Sequence, residues 1–287
     1  MKNNKRGRLF FAGLLLPMTC FLLIACNSRE KTGQNKVQSA ENGQNAEALH
    51  VCFFACSEDA DSILLKHGDA DILIDTGIEE DSGELVNKLQ KMQVDDIELM
   101  ILTHPDKDHI GGVQAVLAAF PVEQVIMTSC DKGSELQDKV NQSMSQTVEK
   151  ITVINELEKL QYEEMSLVLY PPRNETYDNS NNYSIGVLAE YQGVHFFFAG
   201  DAKKKRLEEL LDEDIPQVDV YKVAHHGRDN GLSDDMVAHL QPAYAIVTGE
   251  RAEEKTQKAL TACGAKIYST YENDVFATVN GGILDVR

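Results

Sequence analysis

The stretch Leu102-Thr-His-Pro-Asp-Lys-Asp-His-Ile-Gly-Gly112 carries two imidazoles and two carboxylates within six residues. The apolar run at residues 99–102 enters this stretch and is typical of a buried strand. Apolar residues from Val113 onward predict a helix directly after it. The polar cluster is therefore predicted to lie on a tight loop at the carboxyl end of a strand, where open α/β sheets place their sites.

The spacing of the polar residues in this loop suits a pair of metal ions. Alternate residues of an extended loop point the same way, so His104, Asp106 and Asp108 are predicted to converge. His109 then faces a neighbouring point, so that one loop supplies ligands to two ions a few ångströms apart, as two-metal hydrolases require. The alternative is a solvated charged turn that precedes a helix.

Three other segments place metal-binding residue types at predicted strand ends. Asp75 ends one strand, Asp201 follows another, and the pair His225–His226 follows a third. A carboxylate at the end of an apolar run is costly to bury unless it is bound. The alternatives are an Asx turn at Asp75, a helix N-cap at Asp201 and two surface histidines in a turn.

Taken together, these segments resemble the metallo-β-lactamase superfamily over residues 49–284. The loop from His104 to His109 resembles its HxHxDH metal loop, with Asp106 in place of the second histidine. The resulting HxDxDHIGG pattern is similar to the extracytoplasmic hydrolase domain of the ComEC-type competence proteins and their stand-alone relatives. Asp75-Thr-Gly77 and Lys222-Val-Ala-His-His-Gly227 resemble the DTG and KVxHHG motifs of the same branch.

The resemblance implies a centre with two divalent metal ions, in which Asp201 would be the bridging aspartate. The implied metal ligands are His104, Asp106, Asp108, His109, Asp201 and His226. The spacing does not decide between His225 and His226, and the histidine without a metal would donate to a substrate oxyanion or act as general acid. An oxygen-rich ligand set suits manganese, while zinc remains feasible.

Further residues receive supporting roles from the same resemblance. Asp108 and His225 are the predicted catalytic residues. Asp75 would brace the metal loop by contacting a ligand, and Asn182 and Ser184 stand where the superfamily has its third histidine. The residues predicted to support the ligands or to face the substrate are Asp75, Asn182, Ser184 and Lys222. For Asn182 and Ser184 an ordinary polar loop is the alternative.

The order of predicted strands and helices indicates an α/β fold. The resemblance implies the more specific architecture, a metallo-β-lactamase-like αββα sandwich of two mixed sheets flanked by helices, with the site at one edge. One turn departs from the competence branch: residues 56–61 keep Asp61, and Ser62 follows, but both glycines of a GQGD-like turn are missing. The loss of both glycines argues against a backbone contact between that turn and the site.

The N-terminus predicts export and lipidation. Residues 1–25 combine four basic residues with a long apolar run, as a signal peptide does. Leu23-Ile-Ala-Cys26 resembles the lipobox of bacterial lipoproteins, in which Cys26 is lipidated, and residues 26–47 are predicted to be a flexible tether. The domain at residues 48–287 would then lie outside the cytoplasm, anchored to the membrane. An uncleaved membrane anchor is the alternative.

Charge argues against a polyanionic partner. The formal net charge is −19, and loss of residues 1–25 would make it four charges more negative. Such a field repels nucleic acid and anionic membranes at long range, although it permits a local phosphate site. The best basic cluster, residues 203–206, is favoured as a solvated helix face over a phosphate contact.

The four cysteines of the predicted domain leave their redox state open. An extracytoplasmic location permits disulfides, but spacing does not give connectivity. Free thiols are favoured for Cys52 and Cys56, since there is no second closely spaced pair to complete a zinc ribbon; Cys130 and Cys263 lie far apart.

The function expected from these observations is metal-dependent hydrolysis of a phosphodiester or other ester, in a small molecule or the cell envelope. A DNA nuclease of the competence type is one alternative, which the charge disfavours. The other is a non-catalytic surface binding protein on the same fold, but an empty cluster of three carboxylates would repel itself. β-Lactam cleavage is disfavoured, because the histidine set of that class is incomplete.

Overall fold

The computed structural model describes residues 48–287. The predicted signal peptide, Cys26 and the tether lie outside these described residues. Within residues 48–287, no helix has the length and apolar character needed to cross a membrane.

Fifteen strands form two mixed sheets. They are β1 (Leu49–Phe53), β2 (Ile63–His67), β3 (Ala70–Ile74), β4 (Ile97–Leu102), β5 (Val122–Met127), β6 (Lys150–Val153), β7 (Glu158–Tyr162), β8 (Met165–Tyr170), β9 (Gly186–Tyr191), β10 (Val194–Phe198), β11 (Val220–Lys222), β12 (Tyr244–Val247), β13 (Lys266–Ser269), β14 (Val275–Asn280) and β15 (Ile283–Val286). The larger sheet has the order β15-β14-β1-β2-β3-β4-β5-β6, and the smaller has the order β13-β12-β11-β10-β9-β8-β7. Strands β3 to β6 are parallel to one another, as are β10 to β13.

Helices cover the outer face of each sheet. They are α1 (Ser82–Lys91), α2 (Lys107–Ile110), α3 (Val113–Ala119), α4 (Glu135–Thr147), α5 (Lys204–Leu211), α6 (Ser233–Leu240) and α7 (Glu254–Ala262). Helices α1, α3 and α4 pack on the larger sheet, and α5, α6 and α7 pack on the smaller one. The layers are therefore helix, sheet, sheet, helix.

Alternation along the strands divides the core. In β4, Leu99 and Ile101 point between the two sheets, where they meet residues such as Phe198 of the other sheet. Met100 and Leu102 point to the opposite face and pack under the helices. Successive strand residues face opposite sides, and both sides are covered at this end of β4. Residues 99–102 are therefore all apolar and buried.

The predicted αββα sandwich is confirmed by this architecture. The sequence patterns did not predict the edge strands β6, β7 and β15. They also did not predict helix α6, or helix α2 within the predicted loop. Strand β6 has only four residues and is mostly exposed, and so short a pattern is weak evidence for a strand.

Candidate metal centre

The predicted site residues come together at the carboxyl ends of four strands. Asp75 follows β3, the loop from His104 to His109 follows β4, and Asp201 follows β10. The pair His225–His226 follows β11. Since β3 and β4 belong to the larger sheet and β10 and β11 to the smaller, the site lies where the two sheets meet at one edge of the sandwich.

The glycine pair after the metal loop allows two backbone segments to approach closely. A Cβ atom at Gly112 would lie 2.3 Å from the carbonyl oxygen of Thr76, and one at Gly111 would lie 2.5 Å from the backbone nitrogen of Glu79. The backbone nitrogen of Thr76 also donates to the carbonyl oxygen of His109 at 2.7 Å. These contacts seat the metal loop directly on the segment that carries Asp75.

Asp75 fixes the orientation of His109. Its Oδ2 lies 2.7 Å from Nδ1 of His109 and accepts from Oγ1 of Thr103 at 2.7 Å. Its Oδ1 accepts from the backbone nitrogen of Thr103 at 2.8 Å. With Nδ1 held in this way, Nε2 of His109 is directed towards Asp201, whose Oδ1 lies 3.4 Å away. This is the arrangement in which a carboxylate orients a metal-binding imidazole.

Asp108, His109, Asp201 and His226 form one compact group of potential ligands. One atom from each lies within 4.8 Å of the corresponding atoms of the others. Asp108 thus groups with His109 and not with His104 and Asp106 as an extended loop would place it, because residues 107–110 form helix α2. Nε2 of His226 lies 3.0 Å from Oδ2 of Asp201 and 3.7 Å from Oδ2 of Asp108. Ligands bound at the usual Zn–N and Zn–O lengths in a tetrahedron are separated by about 3.4 Å, so these separations suit a shared cation.

A second group shares Asp201 with the first. Nε2 of His104 lies 3.8 Å from Oδ2 of Asp106 and 4.0 Å from Oδ2 of Asp201. The rings of His104 and His109 are adjacent, with centroids 4.0 Å apart. Asp201 therefore stands between two sets of ligand atoms, which is the position that a bridging carboxylate needs.

The two histidines after β11 occupy different positions. Both have left-handed backbone angles, with φ of 52° at His225 and 56° at His226, which are uncommon for residues other than glycine. His226 is buried in the first ligand group, and its Nδ1 lies 3.1 Å from Oγ1 of Thr248. His225 is half-buried, with Nε2 3.9 Å from Oδ2 of Asp201 and Nδ1 2.7 Å from Oδ1 of Asn230.

The loop that replaces the third histidine contacts Asp201 through residues other than Asn182. The side-chain amide of Asn181 donates to Oδ2 of Asp201 at 3.3 Å, and Oγ of Ser184 accepts from the backbone nitrogen of Asp201 at 3.0 Å. Oδ1 of Asn182 instead accepts from the backbone nitrogen of Arg206 at 3.3 Å. The amide that contacts Asp201 therefore belongs to Asn181, because the short helical turn at Ser180–Tyr183 decides which amide faces the ligands. The role of Asn182 towards the substrate stays a prediction.

Asp61 and Lys222 form a fully buried ion pair behind the ligands. Nζ of Lys222 also lies 3.8 Å from Oδ1 of Asp201 and donates to the carbonyl oxygen of Gly200 at 3.2 Å. Asp61 Oδ1 lies 3.3 Å from Nδ1 of His226. Lys222 was predicted to belong to the site, whereas Asp61 was not. The sequence did offer a signal for Asp61, because the turn at residues 56–61 keeps this aspartate although it lacks both glycines of the related motif.

The charges within the cluster shift the pKa values of its members in different directions. Burial and the neighbouring His109 lower the pKa of His104 to about 3. Burial alone would lower the pKa of His226, but the carboxylates of Asp201 and Asp61 outweigh it and raise the pKa to about 10. Burial would raise the pKa of Asp108, yet a hydrogen bond with His226 and the charge of His109 bring it down to about 2. Ionised carboxylates thus retain protons on histidines, which a metal ion would displace.

The residues present fit metal ions. Nε2 of His104, Nε2 of His109 and Oδ1 of Asp201 are buried and lack a hydrogen-bond partner. Buried polar atoms are almost always partnered, so three orphans facing one another need an explanation. Imidazole nitrogens and carboxylate oxygens are ligands for zinc and manganese. Cations bound between these three atoms would provide the partners that they lack.

The comparisons with known proteins agree with this geometry. The family model of the metallo-β-lactamase superfamily matches residues 58–249. ComE operon protein 3 of Bacillus subtilis (strain 168) is 25% identical over 166 residues, which are 57% of this chain and 21% of that protein. Recombination protein 2 of Haemophilus influenzae is 25% identical over 195 residues, which are 66% of this chain and 23% of that protein. The chain thus matches less than a quarter of the length of either relative.

Solved structures show the same fold at low identity. The metallo-β-lactamase fold protein YhfI from Bacillus subtilis has a TM-score of 0.57 at 10% identity, covering 84% of this chain and 100% of that chain. Zn²⁺-bound PqqB from Methylobacterium extorquens has a TM-score of 0.53 at 13% identity, covering 79% of this chain and 99% of that one. Because the family model spans more than half of the 287 residues, this chain belongs to the metallo-β-lactamase superfamily.

Proposed function

We propose that this protein is a metal-dependent hydrolase that cleaves a phosphodiester or another ester outside the cytoplasm. The observation that carries the proposal is the shared position of Asp201. It lies between the group of His104 and Asp106 on one side and the group of Asp108, His109 and His226 on the other. Two adjacent cation sites joined by a carboxylate are the arrangement used for two-metal hydrolysis.

The ligands would divide between two ions. His104, Asp106 and Asp201 would hold one, and Asp108, His109, Asp201 and His226 would hold the other; zinc and manganese both fit this mixture of oxygen and nitrogen. Bound ions of this kind polarise the ester oxygen and activate water near neutral pH. Asp75 keeps Nε2 of His109 pointed at the centre, and Asp61 and Thr248 do the same for His226.

His225 is the residue left to act on the substrate. Its ring is half-buried, its Nδ1 is held by Asn230 at 2.7 Å, and its Nε2 lies near the centre. Burial lowers the pKa of His225. A positioned imidazole of this kind can donate a hydrogen bond to charge that develops on the substrate or a proton to the leaving oxygen.

The similarity to the two competence and recombination proteins is the support for a nuclease, the second candidate function. The acidic net charge of −19 weighs against it, because DNA binding needs several phosphate contacts. A non-catalytic binding protein is disfavoured, since the ligand atoms and the residues that orient them are all in place.

The extracytoplasmic location belongs to the same proposal and rests on the sequence of residues 1–26, where Leu23-Ile-Ala-Cys26 resembles a lipobox. We expect Cys26→Ala to abolish labelling with a radioactive or alkyne-tagged fatty acid and to release or misprocess the protein. Unchanged labelling together with membrane retention would contradict the lipid anchor.

Metal analysis followed by a substrate panel tests the proposed function. We expect close to two transition-metal ions per chain and lower occupancy of both sites in Asp201→Ala, because one carboxylate serves both. Chromogenic phosphodiesters, phosphomonoesters and lactones then identify the ester class. The matched control is Asp95→Asn, an exposed carboxylate before β4, at the opposite end of that strand from the metal loop. Absence of bound metal, with no gain of activity from manganese or zinc, would contradict the proposal.

A further inference from the structure

Basic residues surround the metal centre, although the whole chain is acidic. Lys107 lies between two predicted ligands, Lys203 follows Asp201 by two residues, and Arg228 follows His226 by two residues. Lys132 reaches the centre from another loop and donates to Oδ1 of Asp106 at 2.8 Å. Several basic residues thus lie next to the ligands in the sequence, although the net charge is −19.

Most of these cations are neutralised by a partner. Lys107 pairs with Glu58 at 2.7 Å, and Arg228 pairs with Asp59 at 3.2 Å. Lys205 lies 3.4 Å from Asp178. A cation that is already paired gains less from a substrate anion, because the existing ion pair must be broken or shared.

Lys203 and Lys204, in contrast, have no acidic partner among the residues that the structure describes. Within residues 48–287, neither ammonium group has a carboxylate oxygen within 4.0 Å or takes part in a side-chain hydrogen bond. Lys203 is half-buried at the start of α5, and Lys204 is exposed in its first turn. Two neighbouring lysines that stay unpaired in a strongly acidic protein are free to bind an anion.

A cleft of about 520 Å³ contains both lysines. Two acids, Asp178 and Asp229, and the amide of Asn230 also line it. The two acids are themselves paired, Asp178 with Lys205 and Asp229 with Lys255 at 3.9 Å. The cleft adjoins the metal centre, because Asn230 holds Nδ1 of His225, whose Nε2 lies 3.9 Å from Asp201.

We infer that this cleft binds a second phosphate group of the substrate, with Lys203 and Lys204 as its cationic partners. The substrate class is therefore a short diester that carries a further phosphate on one arm, beyond the bond that is cleaved. Asn179 and Asn182 line the same cleft. Their Oδ1 atoms already accept from the backbone nitrogens of Asn181 and Arg206, which leaves the side-chain nitrogens as donors. This inference rests on the proposed function and deepens it.

The test compares two chromogenic substrates that differ by one phosphate, thymidine 5′-(p-nitrophenyl phosphate) with and without a 3′-phosphate. We expect kcat/KM of the wild type to favour the 3′-phosphorylated compound by about tenfold, mainly through KM. In Lys203→Gln/Lys204→Gln this ratio falls towards one. Lys258→Gln, an exposed lysine on α7, is the matched control and retains the wild-type ratio.

Calorimetric titration with thymidine 3′,5′-bisphosphate separates the two proposals. If neither ester is cleaved, the proposed function fails, and the titration still decides whether the double variant binds the bisphosphate about tenfold more weakly. A wild-type ratio near one overturns the inference. The inference is also overturned if the double variant loses kcat/KM equally on both substrates. It is likewise overturned if the double variant binds the bisphosphate as tightly as the wild type.

Discussion

Oδ1 of Asp61 lies 3.3 Å from Nδ1 of His226, and the carboxylate of Asp61 also forms an ion pair with Lys222. All three side chains are buried. Asp61 stands before β2 and the other two residues at or after β11, so this contact joins the two sheets directly beneath the metal centre. Removing the charge of Asp61 would disturb both the orientation of His226 and the neutralisation of Lys222.

We therefore predict that Asp61→Asn weakens metal binding by about 10–100-fold, the usual effect of losing a residue that orients a ligand. The free energy of unfolding should also fall by about 3–5 kcal/mol, since Lys222 remains buried without its counter-charge. Competition with a chelating dye measures the affinity, and urea unfolding measures the stability. Asp95→Asn should change neither; a metal affinity equal to that of the wild type in Asp61→Asn would refute the orienting role.

The histidine pair allows a prediction that separates binding from turnover. His226 lies within the ligand group, so His226→Ala should reduce metal affinity by more than about 100-fold, beyond the effect of losing an orienting residue. His225 lies outside the ligand group, and its Nδ1 is held by Asn230. His225→Ala should therefore retain the metal and lower kcat by about 10²–10⁴-fold. Metal content and kcat measured on the same preparations check both. The reverse pattern would exchange the two roles.

Most residues of the candidate site could be predicted from the sequence, because each ligand segment follows an apolar strand. Each segment is in turn followed by glycine or by the start of a helix. The resemblance then related segments that lie more than a hundred residues apart, such as Asp75 and Asp201. The contacts that could not be predicted are those made by residues in turns. One short helical turn, for example, determines whether Asn181 or Asn182 faces Asp201. The basic cluster at residues 203–206 is also smaller than expected, since Arg206 is fully buried and pairs with Glu209.

The glycine pair of the metal loop gives a stability prediction with an internal control. Gly112→Ala would place Cβ 2.3 Å from the backbone oxygen of Thr76, which cannot rotate away. We expect a loss of about 1–3 kcal/mol in the free energy of unfolding, as in other overpacked positions. Gly83 lies in α1, where a Cβ atom would have no neighbour within 4 Å, so Gly83→Ala should instead add about 0.5–1 kcal/mol. Urea unfolding of both variants provides the comparison, and equal midpoints would contradict the close approach.

The thiol of Cys56 provides a prediction about pH. The described cysteines are free, and Cys56 is partly buried. This burial, reinforced by Asp61 and Asp81, raises the pKa of Cys56 from 9.0 to about 12. At pH 8.5 its thiolate fraction should be roughly 1,000-fold smaller than that of an unshifted thiol. The alkylation rate of native Cys56, followed by peptide mass spectrometry, should keep rising up to about pH 12.

The same shift has a stability consequence with a definite sign. A raised pKa means that the folded state keeps the proton when the unfolded state loses it. The stability contribution of Cys56 is therefore complete below pH 9.0 and is lost as the pH rises towards about 12. Protein denatured in urea is the control, in which the alkylation rate should level off above about pH 9. Identical pH profiles for native and denatured Cys56 would contradict the burial of this thiol.

The last prediction concerns the length of the substrate. Each phosphate that a protein neutralises on DNA contributes about −0.7 to −0.9 to the slope of log K against log salt. Within residues 48–287, the cleft beside the centre offers two unpaired lysines, Lys203 and Lys204, while Glu58 and Asp59 stand beside Lys107 and Arg228 and repel further phosphates. We therefore expect kcat/KM for a small chromogenic diester to exceed that for single- or double-stranded DNA per cleavable bond, with a salt slope no steeper than about −2. Assays in manganese at several salt concentrations measure both quantities. Efficient DNA cleavage with a slope of about −5 or steeper, abolished by replacing Lys203, Lys204 and Lys205 with glutamine, would restore the nuclease as the function of this protein.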